Sequence, residues 1–305
     1  MRRLSVAIAT LSCLCCTGCS PRHGSSAMSA AGSNTASPDG SSGSSDAADT
    51  SPRVVIVTSG PSHGPGEHEY HAGALLMSRF LAELGVSVDV VRNDWPVDPS
   101  IFDGARAIGF MSNGNLWHPL ANPDRLGVIS RALARGAGFF CIHWSVHYPD
   151  AFVPEALRLL GASYTNAASV NPMWIARSTA FPGHPVMRGV APFELYDEWY
   201  YNLVFATDRP LTVLLSAVPP ESTRFTADAA AHPGRVETMA WTYERADGGR
   251  SFGYTGLHFH KNWGTESVRR LVVNAILWTA QLDIPLGGAP VTLDPAWLLE
   301  NLDPK

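Results

Sequence analysis

Val54-Val55-Ile56-Val57, then Ser59-Gly60-Pro61-Ser62-His63-Gly64-Pro65-Gly66, then a helical face, then Val86 to Val91: this stretch decides the fold. The first run is short, apolar and β-branched, as a buried strand requires. The Gly- and Pro-rich octet that follows can only be a loop. From about His71, Leu76, Phe80 and Leu84 recur four apart on one helical face, and Gly85 stops the helix. Strand, helix, strand with unbroken apolar strands describes a parallel sheet covered on both faces. Working outward, Ala107 to Met111 reads as a third strand, Pro123 to Arg135 as a helix and Gly138 to Ile142 as a fourth strand. Met239-Ala240-Trp241 and Ser251-Phe252-Gly253-Tyr254 flank Asp247-Gly248-Gly249 and read as a hairpin. A last amphipathic helix spans about Thr265 to Gln281, and the Pro- and Gly-rich tail after Leu282 is expected to lie along the surface. The fold class is α/β, a parallel sheet with helices on both faces.

The 305 residues are 45% hydrophobic and 16% charged, enough for one sizeable core or two modest ones. A formal charge of −5 leaves no basic stripe for nucleic acid, and no long apolar run beyond the N-terminus offers a membrane span. Four of the five cysteines, Cys13, Cys15, Cys16 and Cys19, lie in the first twenty residues. Arg2-Arg3, a short apolar run and the small residues Thr17-Gly18 before Cys19 form a secretory signal. Its end resembles the lipobox of bacterial lipoproteins, with Cys16 where Leu is commoner. That reading expects a signal peptide over residues 1–18, lipidation of Cys19, membrane attachment and residence in the bacterial cell envelope. Residues 19–52, rich in Ser, Gly and Ala, read as a flexible tether. The α/β domain then covers 53–282 and the tail 283–305. With Cys141 the only thiol in the body, no disulfide is expected within it.

Ligands of open α/β sheets collect at the carboxyl ends of the strands. Three loops there carry histidines: Glu67-His68-Glu69-Tyr70-His71, His143-Trp144-Ser145-Val146-His147 and His258-Phe259-His260-Lys261. Three imidazoles with an open position suit a divalent transition metal, zinc first. His68, His143 and His258 are the candidate ligands, and Glu67, Glu69 or Glu198 could complete the set or act as general base. His63, His118, His184 and His232 sit beside Pro or Gly and read as loop filler. Cys141 lies inside its strand, so the exposed turn position falls to His143 and the thiol reads as structural. Aromatic residues in or beside loops, among them Trp144, Trp199 and Trp263, suit the apolar face of a sugar ring and are equally good core filler.

The loop 59–69, Cys141-Ile142-His143, Gly183-His184-Pro185, Asp197-Glu198-Trp199-Tyr200, Gly256-Leu257-His258 and Asn274-Ala275-Ile276-Leu277-Trp278 together resemble the ThuA-like family, named for trehalose utilisation. The resemblance implies the flavodoxin-like sheet of class I glutamine amidotransferases. Where those enzymes carry a nucleophilic cysteine, His143 stands, so no glutamine chemistry is expected. Carried over by position, His68, Glu69, His143, Glu198 and His258 match the family's recurring polar residues, while His260 and Glu67 belong to a longer variant of the motif. The resemblance implies carbohydrate metabolism. The expectation is a metal-assisted enzyme acting on a disaccharide or keto-sugar, with His143, Glu69 and Glu198 catalytic and Trp144, Trp199, Trp263 and His260 binding substrate. The alternative is a lipid-anchored sugar-binding protein without turnover.

Overall fold

The computed structural model describes residues 51–305; the signal segment, Cys19 and the tether up to residue 50 lie outside the described residues. From Arg53 the chain runs through β1 (Arg53–Thr58), α1 (Tyr70–Ala82), β2 (Ser87–Val91), β3 (Ala107–Met111), α2 (Pro123–Ala134) and β4 (Gly138–Ile142). It continues through α3 (Val153–Leu160), β5 (Ala162–Ser163), β6 (Met173–Ser178), β7 (Phe193–Glu198), β8 (Val204–Phe205) and β9 (Leu211–Ala217). After α4 (Ala227–Ala230) come β10 (Glu237–Glu244), β11 (Arg250–Tyr254) and α5 (Glu266–Thr279).

Seven strands form one sheet in the order β2-β1-β3-β4-β11-β10-β9. The first five run parallel, and β10 and β9 extend the sheet antiparallel through the hairpin expected around Gly248. The parallel part has the flavodoxin-like order, with its switch point between β1 and β3. Strand alternation divides the core into two layers. Val54 and Ile56 face Phe80, Leu271 and Val272 of α1 and α5, while Val55 and Val57 belong to the layer of Leu126, Ile129, Leu159 and Leu160. Gly109 of β3 is required by packing: a Cβ there would lie 1.9 Å from the Phe140 ring. At α2 the Asn122 side chain accepts from the amides of Asp124 and Arg125, and Pro123 fills the first turn, where no amide donor is needed.

Two features depart from the sequence reading. Between β4 and β9 the chain builds two small antiparallel pairs, β6–β7 and β5–β8. The first of these carries Asp197 and Glu198. The tail does not simply lie along the surface. Ala289 and Val291 are buried, Arg269 donates to the Val291 carbonyl, and Asp303 is clasped by Arg92 at 2.7 Å. The reason is a buried acceptor inside: the Asp303 amide donates to Glu69 Oε2 at 2.7 Å. No helix among the described residues is long and apolar enough to cross a membrane.

Candidate metal centre and pocket

The carboxyl ends of β1, β4 and β11 open onto one rim, and each is followed by a histidine. His143 takes φ 59° and His68 φ 48°, while Leu257, directly before His258, takes φ 77°. Left-handed backbone at non-glycine residues costs about 1–3 kcal/mol each, and it concentrates where a site dictates direction. At His143 it interrupts the alternation of β4 and turns the ring away from the core layers.

The rings meet. His68 Nε2 lies 3.0 Å from His143 Nε2 and 3.0 Å from His258 Nδ1, and the last two are 3.3 Å apart. Glu198 Oε2 stands 3.1 Å from His258 Nδ1 and 3.4 Å from His143 Nε2. His143 Nδ1 is 2.9 Å from the Thr255 carbonyl, which can only accept, so Nδ1 carries the proton and Nε2 presents a lone pair. Ser62 gives its hydroxyl proton to Asn113 Oδ1 at 2.9 Å and can therefore only accept from His68 Nδ1 at 3.1 Å. His68 Nε2 is then also a lone pair, steadied by Tyr70 at 2.7 Å from Nδ1. Two imidazole lone pairs thus face one another in a buried space, with a third ring nitrogen and a carboxylate beside them.

Electrostatics follow from that crowding. Burial, then the imidazoles of His143, His63 and His258, hold His68 far below the ordinary histidine range. Burial opposes charge on Glu198, but the hydrogen bonds and charges of His143 and His258 outweigh it and hold the carboxylate well below its usual range. For His258, burial is outweighed by the hydrogen bond and charge of Glu198, which raise it.

These four donors all lie within 4.8 Å of one another and could hold a metal ion. The spacing fits: a tetrahedral ion with bonds of about 2.0–2.1 Å has ligand–ligand edges of about 3.3–3.4 Å. Beside the cluster is a pocket of about 270 Å³, small for a ligand site. His68 and Glu198 bring the cluster to its wall; Trp144, Tyr164 and Tyr200 supply aromatic surface, and Asn166, Asn171 and His147 supply polar groups. Asn171 Nδ2 donates to Glu198 Oε1 at 2.9 Å, which leaves Oε2 for the histidines. His147 Nε2 is buried with no hydrogen-bond partner among the described residues.

The chain belongs to the ThuA family. A family model described as trehalose utilisation matches residues 53–279. The protein shares its fold with a protein described as ThuA-like from Bacteroides uniformis, at TM-score 0.54 and 16% identity, covering 75% of this chain and 92% of that one. A second such protein, from Parabacteroides merdae, gives TM-score 0.54 and 14% identity over 75% and 90% of the two chains. No curated protein matches the sequence.

Against the expectations from sequence, the ThuA chain brings His68, His143, His258 and Glu198 together and puts Trp144 in the pocket. Four other candidates go elsewhere. The Glu69 carboxylate accepts from the Gly66 and Asp303 amides and pairs with Lys305 at 3.2 Å, which turns it toward the tail and away from the histidine cluster. Trp199 is wholly buried, its indole donating to Leu195 O, and Trp263 is wholly buried against α1 near Gly73; neither lines the pocket. His260 is buried and lines a different, apolar cavity with Phe259 and Leu298. Conversely, His63 is no filler: its ring centroid lies 3.7 Å from that of His68, and it lines the pocket. Its Gly- and Pro-flanked position carried no sign of that. Tyr164, Asn166 and Asn171, which lie between the motifs, were not singled out from the sequence either; the polar Asn166 and Asn171 around the β5–β6 connection were the available signal. Cys141 is buried, 3.8 Å from the Tyr148 hydroxyl, and burial pushes its thiol up to about 12.

Proposed function

We propose that this ThuA protein is a metal-assisted enzyme acting on a disaccharide or keto-sugar, with zinc as the resident ion. The observation that carries the reading is the convergence of His68 Nε2, His143 Nε2 and His258 Nδ1 within 3.3 Å of one another at the wall of an aromatic and amide-lined pocket. A divalent ion held there supplies Lewis-acid polarisation of a sugar carbonyl or hydroxyl. The three histidines would hold it. Glu198, which touches both cluster and pocket, holds or moves the proton at Oε2, and Asn171 keeps that carboxylate oriented. Trp144 offers its face to the apolar side of a sugar ring, and His147, which lines the same pocket, is available to a hydroxyl.

The test joins metal analysis to a substrate screen. The purified body, residues 53–305, should carry close to a single equivalent of zinc and convert a disaccharide or its 3-keto form, with loss of turnover on chelation. A body that binds sugar but holds no metal and turns nothing over would support the non-catalytic, lipid-anchored binder instead. We propose further that Cys19 is lipidated and places the domain in the bacterial cell envelope. Cys19→Ala should then move the full chain from the membrane fraction to the soluble one, and a soluble wild type would refute the anchor.

A further inference from the structure

Asp197 is wholly buried, and among the described residues no lysine or arginine forms a salt bridge with it. Its carboxylate instead accepts backbone amides: Leu257 at 2.6 Å on Oδ2, and His258 at 3.1 Å, Phe259 at 3.4 Å and Glu198 at 3.0 Å on Oδ1. Three of these donors are consecutive. The left-handed Leu257, at φ 77°, turns the 257–259 segment into a concave row of N–H groups of the kind that binds anions. In this chain an internal carboxylate fills that concavity. Asp197 also adjoins Glu198, and strand alternation sends the two side chains in different directions. His258 is thereby gripped twice, its backbone amide by Asp197 and its ring Nδ1 by Glu198.

We propose that Asp197 is a positioning residue of the metal site, tying the His258 loop to the Glu198 strand so that both donors are in place before the ion arrives. This rests on the metal reading above. Supporting groups around metal ligands typically contribute about 10–100-fold to affinity. Asp197→Asn keeps the shape and one acceptor oxygen but turns an NH₂ group toward the amides. Cobalt(II) titration, followed by its visible absorption, reads both affinity and ligand geometry. The variant should bind cobalt about 10–100-fold more weakly and with an altered spectrum. A merely structural role would lower the melting temperature and leave the spectrum of the loaded protein unchanged, which overturns the proposal. If the wild type binds cobalt and the variant binds it equally, Asp197's role fails while the metal site stands. A wild type that binds no cobalt overturns both. Should Asp197→Asn not fold, amide exchange on the wild type decides: residues 257–259 should be protected equally with and without cobalt. Protection that appears only on loading overturns the proposal.

Discussion

Among the buried polar clusters of the described residues, two are built on opposite plans. In one, Arg224 donates to Glu237 Oε1 at 2.7 Å and to the Arg235 carbonyl at 2.8 Å; Arg235 Nε reaches the same Glu237 oxygen at 3.0 Å, and the Asn202 amide takes Oε2 at 3.2 Å. Opposite charges meet and each donor just named finds an acceptor, while Arg224 Nε keeps only the exposed Glu221 carboxylate at 3.4 Å. In the other, His68 and His143 turn acceptor nitrogens toward one another, and the ring nitrogen of His258 stands beside both and against the Glu198 carboxylate. Folding alone gives no reason to assemble that set, because lone pairs facing each other in a low-dielectric interior repel. Strained backbone at His68 and His143 holds it together regardless. The first cluster pairs opposite charges; the second gathers lone pairs and a carboxylate in a set that could hold a metal ion.

The largest expected effect separates them directly. His143→Ala should abolish metal binding, read as loss of the zinc equivalent, while shifting metal-free stability by only about 1 kcal/mol for the bond to Thr255. Glu237→Gln should do the reverse. It leaves Arg224, whose side chain is 1% exposed, with only the exposed Glu221 carboxylate at 3.4 Å as counter-charge, at up to about 3–5 kcal/mol, or roughly 10 °C in Tm, with zinc content unchanged. If Glu237→Gln strips metal, or His143→Ala melts the metal-free chain like Glu237→Gln, the distinction collapses.

What the sequence could say about each cluster follows from how local its causes are. The edges of β3 and β4 fall where the unbroken apolar runs stop, and the histidines after β1, β4 and β11 share a rim because parallel strands put their carboxyl ends on one side. Choosing between Glu69 and Glu198 was beyond it. Glu69 is claimed by Asp303 and Lys305, more than 230 residues away, and no neighbour in sequence announces such a contact. The hairpin that supplies Glu198 was hidden for another reason. Its outward residues in β6 include the exposed apolar Met173 and Ile175, so the burial alternation leaves no polar alternation to read. Trp199 and Trp263 went astray because an aromatic side chain fits core and pocket equally well.

The next effect concerns a histidine of the closed kind. His118 Nδ1 accepts the Leu120 amide at 2.9 Å and Nε2 donates to the Ser145 carbonyl at 3.0 Å, so its one proton and one lone pair are both used. Protonation would cost the Leu120 bond inside the core, and burial lowers its pKa to about 3. The unfolded chain, titrating near about 6.5, binds a proton that the native state refuses, so stability falls as the pH drops below that value. By pH 5 the loss is about 2 kcal/mol from this residue, with the full effect reached near its folded value. His118→Gln should flatten the fall in Tm between pH 7 and 5 without altering zinc content at pH 7. An unchanged slope would show that His118 is not a closed group.

The smallest expected effect tests the comparison where the two plans come nearest each other, since Cys141 precedes His143 by two residues. Cys141 lies within β4 and packs in the core layer with Val55, Ile108 and Tyr148, whereas His143 leaves the strand through its left-handed turn. A thiol pushed up to about 12 by burial carries almost no thiolate at neutral pH, and thiolate is the reactive form. Cys141→Ala removes one sulfur atom from a closed layer, so a destabilisation of about 1 kcal/mol is expected, near the centre of core substitutions. Zinc content, the cobalt spectrum and turnover should all survive. Lost turnover in a folded, zinc-replete Cys141→Ala protein would move the chemistry back into the strand, give the thiol the role assigned to Glu198 and the histidines, and place the open cluster among the architectural ones.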